Sequence, residues 1–327
     1  MGSIDNKITK KDFENIPIAI AGISLGFMSI STALVEFNIL WLRHIAVMFS
    51  IVCLSLLAIK AILFPKKVSN EIRHPVMGSI YPTIFMTLML IAVYLVKINQ
   101  PIAKGLWLVA IVLHFINFVV FLLAMMKNFK IENMIPSWFI PTVGIGLGAV
   151  TSKPMGMPGI ANLLFYYSLI LFVLMFPIMI YRVMCKEKLV GPKVPTLMIM
   201  VAPASICLAA YFAIMTKPNL VFIYSLAIVA YLSLTYGYII LPKLIKLPFS
   251  PGLAPLTFPL GISVVASQRF VKFLGKTGSS LEGIVKGLLY FQIVVAVAVV
   301  GYIVIKTIEL LFKKLVSRKS QDKVNTL

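Results

Sequence analysis

The sequence predicts an all-α integral membrane protein: ten transmembrane helices, arranged as five repeated helical hairpins around a central path. Three observations predict it. Of the 327 residues 60 % are apolar and only 12 % are charged, with a mean hydropathy of +1.01, whereas a soluble domain carries about 25 % charged residues. The apolar residues run in stretches of bilayer length between short basic loops, and in lipid only helices and closed barrels satisfy their own backbone groups. A proline recurs in the first half of every second stretch. So few charges cannot cover a soluble fold of this size, which argues against a water-borne enzyme and a disulfide scaffold.

At about 20 apolar residues per crossing, the spans fall at 16–35, 39–64, 78–96, 102–126, 137–152, 160–182, 194–216, 219–242, 253–268 and 284–312. The fifth and ninth are short and rich in Gly and Pro. Residues 1–15 and 313–327 are left as tails, and an even number of spans puts both on one side. That side collects nineteen Lys and Arg in its loops and tails, among them Lys66, Lys67, Arg73, Lys186 and Lys188, against nine on the other. The positive-inside rule then places both termini in the cytoplasm. The first residues, MGSIDNKITKKDFENIP, show no signal-peptide cleavage pattern.

The formal net charge of +20 fits the same bias. No basic run is interleaved with aromatics as a nucleic-acid site requires, so membrane lipids are the expected partners and nucleic acid is not. The nine cations of the opposite side, Arg43, Lys153 and Arg269 among them, face only Glu36 and Glu282. Both mouths of a central path would therefore attract anions, although lysines that serve only lipid headgroups would look the same. Cys53, Cys185 and Cys207 lack CxxC spacing and are expected to be inert buried thiols.

The repeat carries the argument further. Pro17, Pro82, Pro141, Pro203 and Pro259 stand 65, 59, 62 and 56 residues apart, in the rhyming strings IPIAIAGISLG, YPTIFMTLMLI, IPTVGIGLGAV, APASICLAAYF and FPLGISVVAS. A proline inside a span removes one backbone bond and often kinks the helix, and interrupted helices tend to mark a transport path. The even spans are bulkier, as suits a lipid-facing surface. Three positions after each proline stand Ile20, Phe85, Gly144, Ile206 and Ile262, and one position before stand Ile16, Tyr81, Ile140, Ala202 and Phe258. Ile20, Phe85, Gly144, Ile206 and Ile262, with Tyr81 and Ala202, are the candidate lining.

What the odd spans lack matters equally. None of 16–35, 79–96, 137–152, 195–216 and 253–267 contains Asp, Glu, Lys, Arg or His. Intramembrane ionisable groups mark proton relays and substrate clamps, so no catalytic residue, cofactor or metal ligand set is expected. The remaining polar lining would be hydroxyls: Ser24, Thr83, Thr87, Thr142, Ser205, Thr257 and Ser263. His114 lies in the fourth span, and we read it as a packing or interfacial histidine.

Ten spans, a proline in each odd one, and the strings PSWFIPTVG (136–144) and TFPLGISVVAS (257–267) together resemble the tellurite-resistance/dicarboxylate transporter family. That family includes the bacterial tellurite-resistance protein and the plant slow anion channels. The resemblance implies a pseudo-five-fold bundle with odd helices around a pore and even helices outside. It also implies a homotrimer with one pore per subunit, and a phenylalanine before the ninth-span proline that occludes the pore. The matching residue here is Phe258. The plant channels carry long phosphorylated tails, so kinase gating is not expected from tails of about fifteen residues.

The reading that follows is a plasma-membrane anion channel, or channel-like transporter, for small inorganic or organic anions, with an uncharged pore. Selectivity would come from the cost of dehydrating the ion. The alternative is a proton-linked carrier or exporter of a C4-dicarboxylate such as malate, of sulfite or of tellurite. A dicarboxylate carrier would place Arg or Lys at mid-membrane, and no odd span has one. A non-transporting membrane scaffold is the third class.

Overall fold

The computed structural model describes residues 10–316, apart from Asn128 and Pro218. Most of the two expected tails therefore lies outside the described residues. The described chain is helical, with no strand in it. After a short helix α1 (Lys10–Glu14), Pro17 forces a tight entry: Ile20 N–H donates to Pro17 O at 3.2 Å and Ala21 N–H to Ile18 O at 3.0 Å. These i→i+3 bonds give way to α2 (Ala19–Leu34) and leave Ile16 O without a helical partner. Next come α3 (Leu40–Leu63), α4 (Pro65–Ile72), α5 (Pro82–Leu95) and α6 (Gln100–Met126). The Asn99 side chain caps α6 by accepting from Ile102 N–H at 3.0 Å, which meets one donor orphaned at the helix start.

The fifth stretch is not one helix. A 3₁₀ turn at Pro136–Trp138 leads into α7 (Phe139–Thr142), another 3₁₀ turn at Gly144–Gly146 and α8 (Leu147–Thr151). Pro141 lacks a donor, and Gly144, Gly146 and Gly148 weaken helical preference. After α9 (Pro158–Cys185), Pro192 and Pro195 hold Gly191–Val201 in a 3₁₀ helix before α10 (Ala202–Ile214). Beyond α11 (Leu220–Ile245), a 3₁₀ segment at Pro251–Leu256 precedes α12 (Phe258–Thr277), which outruns the expected 253–268. Gly278, at φ 65°, ends α12 in the left-handed region, with Ser279 N–H on Leu274 O at 3.1 Å. The last helix is α13 (Glu282–Val316).

Among the described residues seven helices are long and apolar enough to cross a membrane: Ala19–Phe37, Leu40–Leu63, Gln100–Met126, Pro158–Cys185, Gly191–Ile214, Leu220–Ile245 and Glu282–Lys313. They fall into two populations. Ala19–Phe37 and Gly191–Ile214 are each 78 % buried over their most apolar window, whereas Gln100–Met126 is 22 % buried and Pro158–Cys185 28 %. Apolar residues turned outward at that level need lipid around them. The buried elements pack on one another: α2 on α5 and α12, α5 on α8, α8 on α10, and α10 on α12. Outside them, α3 lies on α2, α6 on α5, α9 on α8 and α10, α11 on α10, and α13 on α12 and α2.

One close contact joins α2 to the start of α12. A Cβ placed on Gly26 would stand 2.8 Å from Phe258 N and run into Thr257 Oγ1. The Thr257 hydroxyl in turn reaches Gly22 O at 3.1 Å and Ala254 O at 2.8 Å. Only hydrogen at position 26 lets the two backbones approach this closely. Gly26→Val is expected to cost about 1–3 kcal/mol by overpacking, read as a lower melting midpoint of the detergent-solubilised protein. An unchanged midpoint would show that this contact yields easily.

Candidate functional site

All five proline-bearing segments converge on one cavity of about 40 Å³. Gly22 and Leu25 come from α2, Thr83 and Met86 from α5 with Ile80 just before it, and Phe139, Ile140 and Gly144 from the broken fifth segment. Ile199, Ala202, Pro203 and Ile206 come from the seventh stretch, and Ala254, Pro255, Phe258 and Pro259 from the ninth. No Asp, Glu, Lys, Arg or His is in this wall. The volume admits roughly one water molecule, which would need two to four polar partners to stay.

Those partners are scarce because the hydroxyls are already engaged. Ser24 donates to Ile20 O, Thr83 to Ile80 O, Thr87 to Thr83 O and Thr142 to Trp138 O. Ser205 donates to Val201 O, Thr257 to Ala254 O and Ser263 to Leu260 O. A hydroxyl has one proton, and each of these spends it three or four residues back along its own backbone. The expected hydroxyl lining therefore offers an anion no donor. Of the seven, only Thr83 is in the cavity wall.

The sequence-derived positions divide by repeat. In the third, fourth and fifth repeats the residue before the proline (Ile140, Ala202, Phe258) faces the cavity, and Gly144 and Ile206 join it one turn on. Phe258 is 7 % exposed. Ile262 lies farther along α12, in the wall of a second cavity. Pro203 and Pro259 are in the central wall, whereas Pro17, Pro82 and Pro141 are not. Ile20 and Tyr81 belong to a separate apolar cluster with Ile16, Cys53, Leu57 and Leu311. Phe85 is only partly buried, against the main core.

The first two repeats are displaced for a polar reason. Lys60, near the end of α3, reaches both carboxylate oxygens of Glu71 at 2.8 Å and Ile16 O at 2.9 Å. Tyr81 donates its hydroxyl to the same carboxylate at 2.6 Å. Lys60, Glu71 and Tyr81 are all buried. The cluster draws Ile16 and Tyr81 out of the layer that their repeat equivalents occupy, so Leu25 and Ile80 face the cavity instead. The carbonyl that the Pro17 entry leaves free is the one that Lys60 takes. Sequence reasoning missed this group. Its one visible signal was a single acid, Glu71, in a loop otherwise made basic by Lys66, Lys67 and Arg73.

His114 is fully buried, with Nε2 donating to Pro141 O at 3.3 Å across to the broken segment. It thereby supports the interruption at α7 without reaching the cavity. Cys53 and Cys207 are buried, but Cys185 is exposed at the end of α9, which corrects the expectation of three buried thiols. Among the described residues no cluster of three or more His, Cys, Asp or Glu has the arrangement of a metal site.

The model of the voltage-dependent anion channel family matches residues 15–308. An uncharacterized transporter of Methanocaldococcus jannaschii is 23 % identical over 263 residues, covering 72 % of this chain and 76 % of that one. The match spans all five segments of the cavity wall and the apolar helices around them. The chain is a multi-pass membrane protein that belongs to the voltage-dependent anion channel family.

Proposed function

We propose that the protein is a plasma-membrane channel for small anions, closed at rest by Phe258. The observation that carries this reading is the central cavity, in which five segments meet without an ionisable side chain or an available hydroxyl proton. An ion that enters it sheds water and gains little in return. That favours weakly hydrated anions such as nitrate and chloride. A dicarboxylate has no cationic partner in this wall.

The finer architecture belongs to the same proposal. The packing order α2, α5, α8, α10, α12 and back to α2 supports a pseudo-five-fold inner ring. An outer ring of α3, α6, α9, α11 and α13 completes ten spans over 16–312. The basic residues of the loops support cytoplasmic termini, with tails at 1–15 and 313–327. The outward apolar faces of the outer helices leave area both for lipid and for the contacts of a homotrimer.

The test is current or flux in liposomes with chloride as the permeant anion and pH recorded on both sides. The proposal expects anion flux that follows the anion gradient without proton movement. Flux that needs a proton gradient would replace the channel with a carrier of dicarboxylate, sulfite or tellurite. No flux from well-folded protein, in wild type and in the opened variant described below, would favour a scaffold.

A further inference from the structure

A second cavity of about 140 Å³ lies beyond the central one, toward the end of the bundle away from the termini. The two are in line, because the same helices wall both: α2 contributes Gly22 and Leu25 to the first and Ser29 and Thr32 to the second, and α12 continues from Phe258 through Ile262 to Arg269. Unlike the first, this chamber carries cations, Lys153 and Arg269, and no acid is in its wall. Glu36, just past the end of α2, is paired with Lys272 and also interacts electrostatically with Arg269.

Arg269 is held in place by backbone. Its guanidinium donates to Val150 O at 3.0 Å and to Ala209 O. The residue that would normally bond Val150 O is Pro154, which has no N–H to give. Two carbonyls from different segments thus fix the plane of a group that has five donors. Of the three hydroxyls in the chamber wall, Thr32 is spent on Met28 O and Thr151 on Leu147 O, both at 2.7 Å, and Ser29 is the third. Attraction for an anion in this chamber therefore rests on the two cations, with the Ser29 hydroxyl beside them.

We propose that this chamber is an anion-binding site. Arg269 holds one small monovalent anion, and Lys153, exposed at the mouth, draws it in. The proposal rests on reading the two cavities as one permeation path. It gives that path a function the apolar cavity cannot supply: an anion exchanges part of its water for guanidinium N–H groups before it meets the dry constriction. A single immobilised guanidinium matches one negative charge, so nitrate and chloride are the expected occupants, in preference to malate or sulfate.

The experiment titrates the purified full-length protein with sodium nitrate at constant ionic strength, set with sodium gluconate, and follows its melting midpoint. Saturable stabilisation is expected, because a ligand that binds only the folded state raises the midpoint. Arg269→Gln should abolish it, and Lys153→Gln should raise the half-saturating concentration about threefold through lost long-range attraction. If Arg269→Gln does not yield folded protein, Arg269→Lys decides. It keeps the charge but loses the planar fork, and should weaken binding about tenfold. Equal nitrate response in wild type and in a folded Arg269 variant would overturn the site, as would tighter binding of sulfate or malate. The binding readout needs no transport, so a failed flux assay would count against the channel reading alone.

Discussion

Phe258→Ala is expected to raise anion flux about tenfold or more, since removal of only ~1.4 kcal/mol from a barrier gives a factor of ten. The phenyl ring closes the cavity wall formed with Ile140, Ala202 and Ile206. A buried phenylalanine that only packs typically costs ~3–5 kcal/mol when cut to alanine. Phe258 faces a void and so has fewer contacts to lose, which places its cost below that range. Flux in liposomes and the melting midpoint, measured on the same preparation, separate the roles. A strongly destabilised variant without extra flux would make Phe258 a packing residue. Tyr81→Ala is the contrast within the repeat. It removes a hydrogen bond to Glu71 and no part of the cavity wall, so stability should fall while flux stays low.

Glu71→Ala is expected to have the largest effect on stability. It leaves the Lys60 ammonium buried with Ile16 O as its remaining partner among the bonds it makes now. Removing one member of a buried ion pair costs about 3–5 kcal/mol, whereas replacing both by apolar residues is often close to neutral. The double variant Lys60→Met, Glu71→Leu should therefore recover most of the loss. Expression level and melting midpoint of the single and double variants provide the check. A single variant that melts like wild type would mean that water reaches Lys60 and replaces the carboxylate.

The long outer helices were legible in the sequence because lipid leaves a continuous apolar run no other backbone solution. The stretch at 39–64 folds as Leu40–Leu63, and 160–182 as Pro158–Cys185. The division of 137–152 into α7, α8 and two 3₁₀ turns was not legible. A proline and three glycines permit a break, but its form depends on neighbours such as His114 on Pro141 O. Of the candidate lining, Gly144, Ala202 and Ile206 meet at the cavity together with Phe258, since the repeat keeps its register there. Ile20 and Tyr81 do not. The proline pattern carries no trace of a lysine that reaches across to a carboxylate and to a carbonyl freed by Pro17. Nor does it reveal that every predicted hydroxyl bonds its own backbone.

That last feature has a kinetic meaning. In the proposed channel, a wall whose one hydroxyl, that of Thr83, turns its proton back on its own backbone would contain no station at which an ion can rest. The constriction would then act as a single hill without valleys, in which ions would not queue or push one another through. Throughput at high concentration would be limited by how quickly the ion reaches the hilltop, and so by its hydration. Any discrimination beyond that must be exercised before the ascent begins.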